Sequence, residues 1–134
     1  MNKAILIKGC CAEAIDFPEG ENHLDFYYDA IGCSCIDIVP AYGLEGIGIH
    51  GYDLIVDDEG LLVGKEINPI ASFLYGYDSH GELLVGDVMI CKRIETPDGM
   101  DSTGLDGSEL ITVFDGINEL VNRHNEKVGG GGGK

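Results

Sequence analysis

The sequence predicts an α+β domain: a mostly antiparallel sheet of about five strands, with two longer helices and one short helix. Three observations predict it. Short apolar runs of β-compatible residues recur, as KAILIK at 3–8, YDLIV at 52–56 and LLVGDVMICKRI at 83–94. Between and after them lie segments whose apolar residues repeat with helical spacing. Glycine, 21 of the 134 residues, punctuates nearly every junction. This length fits one domain, and such a chain can bury a core without disulfides or metal. Residues 1–126 are read as that domain, and 127–134 as a flexible Gly-rich tail.

The elements follow in order. Residues 3–8 form a first strand, and EAIDF at 13–17 a short second one. Pro18-Glu19-Gly20 makes a turn. Leu24, Tyr27, Tyr28 and Ile31 stand at i, i+3, i+4 and i+7, one face of a helix, with Asn22 to cap it and Gly32 to end it. Cys33 to Val39 is the next strand, closed by Pro40. GLEGIGIHG at 43–51 is a connection. It contains a literal G-x-G-x-x-G at Gly46, Gly48 and Gly51, but a dinucleotide fingerprint needs a helix to open on those glycines, and a strand follows here. Residues 52–63 read as a hairpin, with YDLIV and LLV paired across a DDEG turn in which Gly60 takes a positive φ. Asn68-Pro69 starts a short helix, Asn as cap and Pro in the first turn, with Ile70, Ala71 and Leu74 inward and Gly76 as its end. After the loop 77–82 comes the strand 83–94, where Gly86 marks a bulge or a close backbone approach. Residues 95–107 read as a loop. The long helix 108–124 follows, capped by Ser108 or Asp106, with Leu110, Ile111, Phe114, Ile117 and Val121 on its inner side.

The charge is the least ordinary property. Eight Lys and Arg face 24 Asp and Glu, a net charge of −16. Such a chain repels nucleic acid, because phosphate binding needs clustered cations. An acidic membrane surface repels it too, and no run approaches the ~20 apolar residues of a membrane span. Two readings of the acidity remain: solubility, or a surface that imitates DNA phosphates and fills a basic groove. The five cysteines are Cys10, Cys11, Cys33, Cys35 and Cys91. Their odd number and adjacent pairing do not form a secreted disulfide framework, and reduced cytoplasm is expected. Their C-C and C-x-C spacings are not zinc spacings. The acidic turn Asp57-Asp58-Glu59 lacks calcium-loop spacing. No metal or other cofactor is therefore expected. No G-x-S-x-G, P-loop or H-E-x-x-H motif is present, so the chain reads as no enzyme and no catalytic residue is assigned.

Three segments carry a resemblance. IGCSCIDIV at 31–39 looks like a strand of the form VGGYIEIV. DLIVDDEGLLVGKEINPIASFLY at 53–75 looks like vDEEGLLkglpxNxxAsxL, and VGDVMI at 85–90 like hGdvvv. In this order they resemble a family of small proteins of unknown function carried mainly by bacteriophages, prophages and mobile elements. Asp58 replaces the family's Glu, and Cys33-Ser34-Cys35 stands near its glycines. The resemblance implies an accessory protein that antagonises bacterial defence in the cytoplasm of a bacterial host. It does so by non-catalytic sequestration of a nucleotide-derived signal, or alternatively as an acidic DNA mimic on a nucleic-acid-handling defence protein. Its partners would be that small molecule or that host protein. Homo-oligomerisation stays open.

A nucleotide pocket needs donors for phosphate and aromatic faces for bases. Lys65, Lys92 and Arg93 are the candidate donors, helped by the helix start at Asn68. Tyr27, Tyr28, Tyr75 and Tyr77 are the candidate stacking groups. The ligand-binding set expected on this reasoning is Lys65, Asn68, Tyr75, Tyr77, Arg93 and Tyr27. Each has a plainer reading too: tyrosines pack and surface cations solvate.

Overall fold

Alternation along the strands decides the architecture. In β1 (Lys3–Lys8) and the first four residues of β5 (Val88–Thr96), the buried residues on both faces are apolar, so this sheet must be covered twice. A computed structural model describes residues 2–9, 11–18, 23–60, 62–76 and 83–132, with 124–132 as backbone alone. It shows an antiparallel sheet ordered β2-β1-β5-β4-β3, where β2 is Cys11–Asp16, β3 Ile36–Pro40 and β4 Tyr52–Asp57. β6 (Gly99–Thr103) pairs with the far half of β5. β1 covers β5 at Val88–Ile90 and β6 covers it at Lys92–Thr96, so the long strand β5 has two successive partners on one side.

One face carries α1 (Leu24–Ile31), which buries Tyr27 and Ile31 on Ala4, Ile55, Met89 and Cys91. The other carries α2 (Tyr42–Glu45), α3 (Pro69–Tyr75) and α4 (Gly107–Gly132) over Ile5, Ile7, Leu54, Val56, Val88 and Ile90. Each fully buried aliphatic of this kind stabilises the fold by about 1.5–3 kcal/mol. The predicted α+β class holds, with an antiparallel sheet of six strands and four helices among the described residues.

Several expectations are corrected. The hairpin at 52–63 does not form: β4 pairs with β3 and β5, so its edges are occupied and LLV cannot return beside it. Leu62 and Val63 are instead largely solvent-exposed in a turn. Gly60 has no positive φ; a Cβ there would meet Val85 Cγ2 at 2.7 Å, so the glycine permits close packing. The loop expected at 95–107 is mostly β-structure, since β5 runs on to Thr96 and turns through Pro97-Asp98 into β6. The turn-forming residues there mark only the tip of a hairpin. The connection after Pro40 contains α2, and Gly43 lets it approach α3 so closely that a Cβ would collide with the Phe73 carbonyl oxygen.

In α4 the inner face is centred on Val113 and Ile117, with Leu110, Phe114, Leu120 and Val121 packed beside them. Ile111 faces solvent, 66% exposed. α4 starts on a reciprocal cap, in which the Glu109 N–H donates to Asp106 and the Asp106 N–H to Glu109. It continues past His124 to Gly132, through glycines from 129 on that are the weakest helix formers in it. The expected cap Asn22 and the turn at Glu19-Gly20 lie outside the described residues. No helix among the described residues is long and apolar enough to cross a membrane.

Candidate functional site

The crossover from β4 to α3 builds the most distinctive polar region. Asn68 caps α3, its side-chain oxygen accepting from the Ala71 N–H at 3.1 Å. Its amide nitrogen donates to the Ile7 carbonyl at 3.0 Å and to the Gly86 carbonyl at 2.8 Å. The side chain thus joins α3, the end of β1 and the approach to β5, and the residue is 1% exposed. Ser72 adds a second tie, donating to the Asn68 carbonyl and accepting from the Leu84 N–H. Pro69 and the Asn68 side chain together leave few free donors at this helix start.

Lys65 lies three residues earlier. Its ammonium pairs with the Asp57 carboxylate at 2.7 Å and donates to the Gly32 carbonyl at 2.9 Å, with a longer contact to the Ile31 carbonyl at 3.4 Å. A cation at the last carbonyls of α1 is favoured by the helix dipole. Gly32 itself ends α1 in the left-handed conformation, as its sequence position predicts.

Two clefts meet at Lys65 and Gly32. The first, about 460 Å³, is walled by Tyr28 and Asp29 of α1, Cys33 and Ser34, then Asp57, Glu59 and Val63. The second, about 370 Å³, is walled by Gly9, Ile31, Glu66 and Ile67, then Asn68, Gly86 and Asp87. Gly86 takes a positive φ of 75° and leaves room for the Lys65 stem, which a Cβ would meet at 2.6 Å. The carboxylates of the groove differ in what they hold. Asp57 is bound to Lys65. Glu59 sits beside the Cys35 thiol and pushes its pKa up. Asp29, Glu66 and Asp87 have no side-chain hydrogen bond or ion pair among the described residues. The Cys33 thiol is also held above its ordinary range, by burial and then by Asp57.

The remaining predicted residues are placed elsewhere. Arg93 grips Asp53 through two nitrogens, Nε at 3.1 Å and Nη2 at 2.5 Å from Oδ1, and reaches Glu45 at 3.9 Å. This ties β5 to β4 and α2, and Arg93 lines neither cleft. Its neighbour Lys92 pairs with Glu109 at 2.8 Å, and Glu109 accepts from the Tyr52 hydroxyl at 3.3 Å. Burial and then Glu109 push the Tyr52 hydroxyl up to about 12. Tyr27 is packed among Phe17, His23 and Phe26. Its buried hydroxyl lies near Cys91 and Ser102 without a well-formed hydrogen bond, and burial raises its pKa above the ordinary tyrosine value. Tyr75 packs against Tyr42, ring centroids 5.6 Å apart. Tyr77 lies outside the described residues. Lys65 and Asn68 therefore come together, whereas Tyr27, Tyr75 and Arg93 serve separate parts of the fold.

With this geometry in view, two likenesses bear on function. A nucleoside triphosphate pyrophosphatase of Bradyrhizobium diazoefficiens is 39% identical over 54 residues, 40% of this chain and 27% of that protein. A nucleoside triphosphate pyrophosphatase of Rhodopseudomonas palustris is 33% identical over 57 residues, 42% of this chain and 28% of that protein. The chain thus matches little more than a quarter of the length of either curated relative. No family model matches the chain, and no solved structure matches it.

These likenesses correct the functional expectation. A phage-type anti-defence protein that sequesters a nucleotide without turning it over, or mimics DNA, is set aside, and so is the reading of the chain as no enzyme. Both relatives bear the name of an enzyme. The error came from treating the lack of a short motif as a lack of catalysis, although carboxylates that act on water meet in space and carry no fixed spacing. Tyr28 was legible as an aromatic on α1. Asp29, Glu66 and Asp87 were not, because nothing local separates a cleft carboxylate from the other acidic residues of so acidic a chain.

Proposed function

We propose that this protein hydrolyses nucleoside triphosphates at the groove centred on Lys65, releasing pyrophosphate and a nucleoside monophosphate. The observation that carries the reading is the pair of partial likenesses to nucleoside triphosphate pyrophosphatases. The groove supplies chemistry that suits it. Five carboxylates and one ammonium line the two clefts, so a bare polyphosphate would be repelled. A triphosphate enters as its divalent-cation complex, and such a cation needs only one or two protein carboxylates besides the phosphates. Among the described residues no three His, Cys, Asp or Glu converge into a cage. Glu66 and Asp87, which lack side-chain partners among the described residues, are the groups assigned to the cation's waters and to the attacking water.

In the step proposed, a water oxygen bonds to the α-phosphorus and the α–β anhydride P–O bond breaks. Pyrophosphate leaves with the electron pair, and the water's proton passes to a carboxylate. Lys65 contacts the phosphates at the junction in place of its long Ile31 contact, while Asp57 holds it in place. The segment 57–68 supplies Asp57, Glu59, Val63, Lys65, Glu66 and Asn68 to the groove. The cytoplasm is the proposed compartment, where the thiols of Cys11, Cys33, Cys35 and Cys91 stay reduced. The test is pyrophosphate release from each common triphosphate with magnesium present, for the native chain and for Asp87→Asn and Glu66→Gln. Release that falls at least about a hundredfold in one variant supports the assignment. No release from any triphosphate overturns the reading.

A further inference from the structure

We infer that the first cleft selects a guanine base, stacked on Tyr28 and read at its edge by Asp29. This deepens the reading of the groove as a nucleotide site and rests on it. The two clefts differ in what they offer. The second is walled by backbone-exposing glycines, Gly9 and Gly86, with the carboxylates assigned to cation and water. The first has the only aromatic wall among the lining residues, Tyr28, and an aliphatic one, Val63, which is 66% exposed. A planar base covers both, and the area it removes from water favours it there.

The polar group left for the base edge follows from occupancy. Of the three carboxylates in this cleft, Asp57 is bound to Lys65 and Glu59 lies against the Cys35 thiol. Asp29, next to Tyr28 on α1, holds no partner among the described residues. An ionised carboxylate only accepts hydrogen bonds. Guanine alone among the common bases presents two adjacent donors, N1–H and the 2-amino group, to its two oxygens. Adenine and cytosine set an acceptor beside their amino group, and uracil flanks its one N–H with two carbonyls, so each places a repelled lone pair against Asp29.

The experiment is calorimetric titration of the native chain with GMP, IMP, AMP and UMP, alongside triphosphate hydrolysis. GMP should bind about tenfold or more tighter than AMP or UMP, with IMP between, because it keeps N1–H and lacks the amino group. Asp29→Asn should bring the monophosphates to within about threefold of one another, and Tyr28→Leu should weaken them all. Equal affinities, no binding of any monophosphate, or a GMP preference that survives Asp29→Asn would overturn the inference. Hydrolysis of all triphosphates without base preference overturns the base assignment and leaves the hydrolytic reading standing. GMP selectivity without any pyrophosphate release does the reverse.

Discussion

Asn68 and Lys65 stand three residues apart, border the same cleft and both bind distant parts of the chain, yet they differ in how much of the side chain still meets solvent. Asn68 is 1% exposed and joins three separate segments of backbone. Lys65 keeps about a fifth of its side chain in solvent and faces two clefts. The first is a folding anchor that happens to reach a cleft. The second is a charge held at the meeting point of two clefts. A residue's presence on a cleft wall does not make it a ligand contact; what separates these two is that the Lys65 side chain still meets solvent while that of Asn68 does not.

The largest effect expected is at the anchor. An N-cap alone is worth about 1 kcal/mol. Asn68→Ala also strips the donor from the Ile7 and Gly86 carbonyls, and each buried acceptor left alone adds about 1 kcal/mol or more. The expected total is about 3 kcal/mol, read as a lowered urea midpoint. Asn68→Asp keeps the cap acceptor but turns a buried carboxylate oxygen toward the Ile7 and Gly86 carbonyls, so it should be no more stable than Asn68→Ala. If Asn68→Ala left the midpoint unchanged, the comparison between anchor and site would fail.

Lys65→Met comes next. It leaves Asp57, whose side chain is only 4% exposed, without its cation. The cost expected is about 2 kcal/mol, below that of a fully buried pair because Lys65 is partly in water. Pyrophosphate release should fall far more than the folded fraction does. Equal losses of stability and activity would make Lys65 a second anchor.

These two residues also show what the sequence made legible. The cap at Asn68 is written in neighbouring residues, Asn then Pro then an apolar face, and local rules suffice to read it. The strand pattern of β1, β4 and β5 is equally local. The hairpin error at 52–63 was not local: LLV has strand-like composition, but β4 already has β3 and β5 on its two edges. Pairing is decided by distant strands, and composition cannot report it. The groove has the same property. Asp29 and Asp87 come from α1 and the approach to β5, more than fifty residues apart, and only the fold brings Lys65 between them.

A smaller effect separates surface from site within one segment. Leu62 is 84% exposed and lines neither cleft, whereas Val63 lines the first. Leu62→Ser and Val63→Ser should each change stability by about 0.5 kcal/mol or less. Only Val63→Ser should weaken GMP, by about threefold in Kd, through the lost apolar face. An equal effect from both would show that the segment acts through its backbone.

The smallest perturbation is chemical and leaves the sequence intact. Among the described residues four thiols sit at different distances from the groove: Cys33 in its wall, Cys35 beside Glu59, Cys11 on β2 and Cys91 in the core. Alkylation needs the thiolate and access to it. Burial pushes Cys91 up to about 12, so it should stay unmodified while the fold is intact. Cys33 and Cys35 are both raised, the first by burial and then Asp57, the second by Glu59. Their labelling should therefore be slow near neutral pH and quicken as pH rises toward their thiol pKa values. Saturating GMP should then slow Cys33 selectively, because the ligand covers its cleft, and leave Cys11 unchanged. Peptide mass spectrometry after timed quenching reads each site separately. Protection of Cys33 with Cys91 still silent places the ligand in the groove of the folded protein. Modification of Cys91 at the same rate as Cys33 would mean that the reagent reports opening of the whole sheet, and the distinction between anchored core and accessible groove would collapse with it.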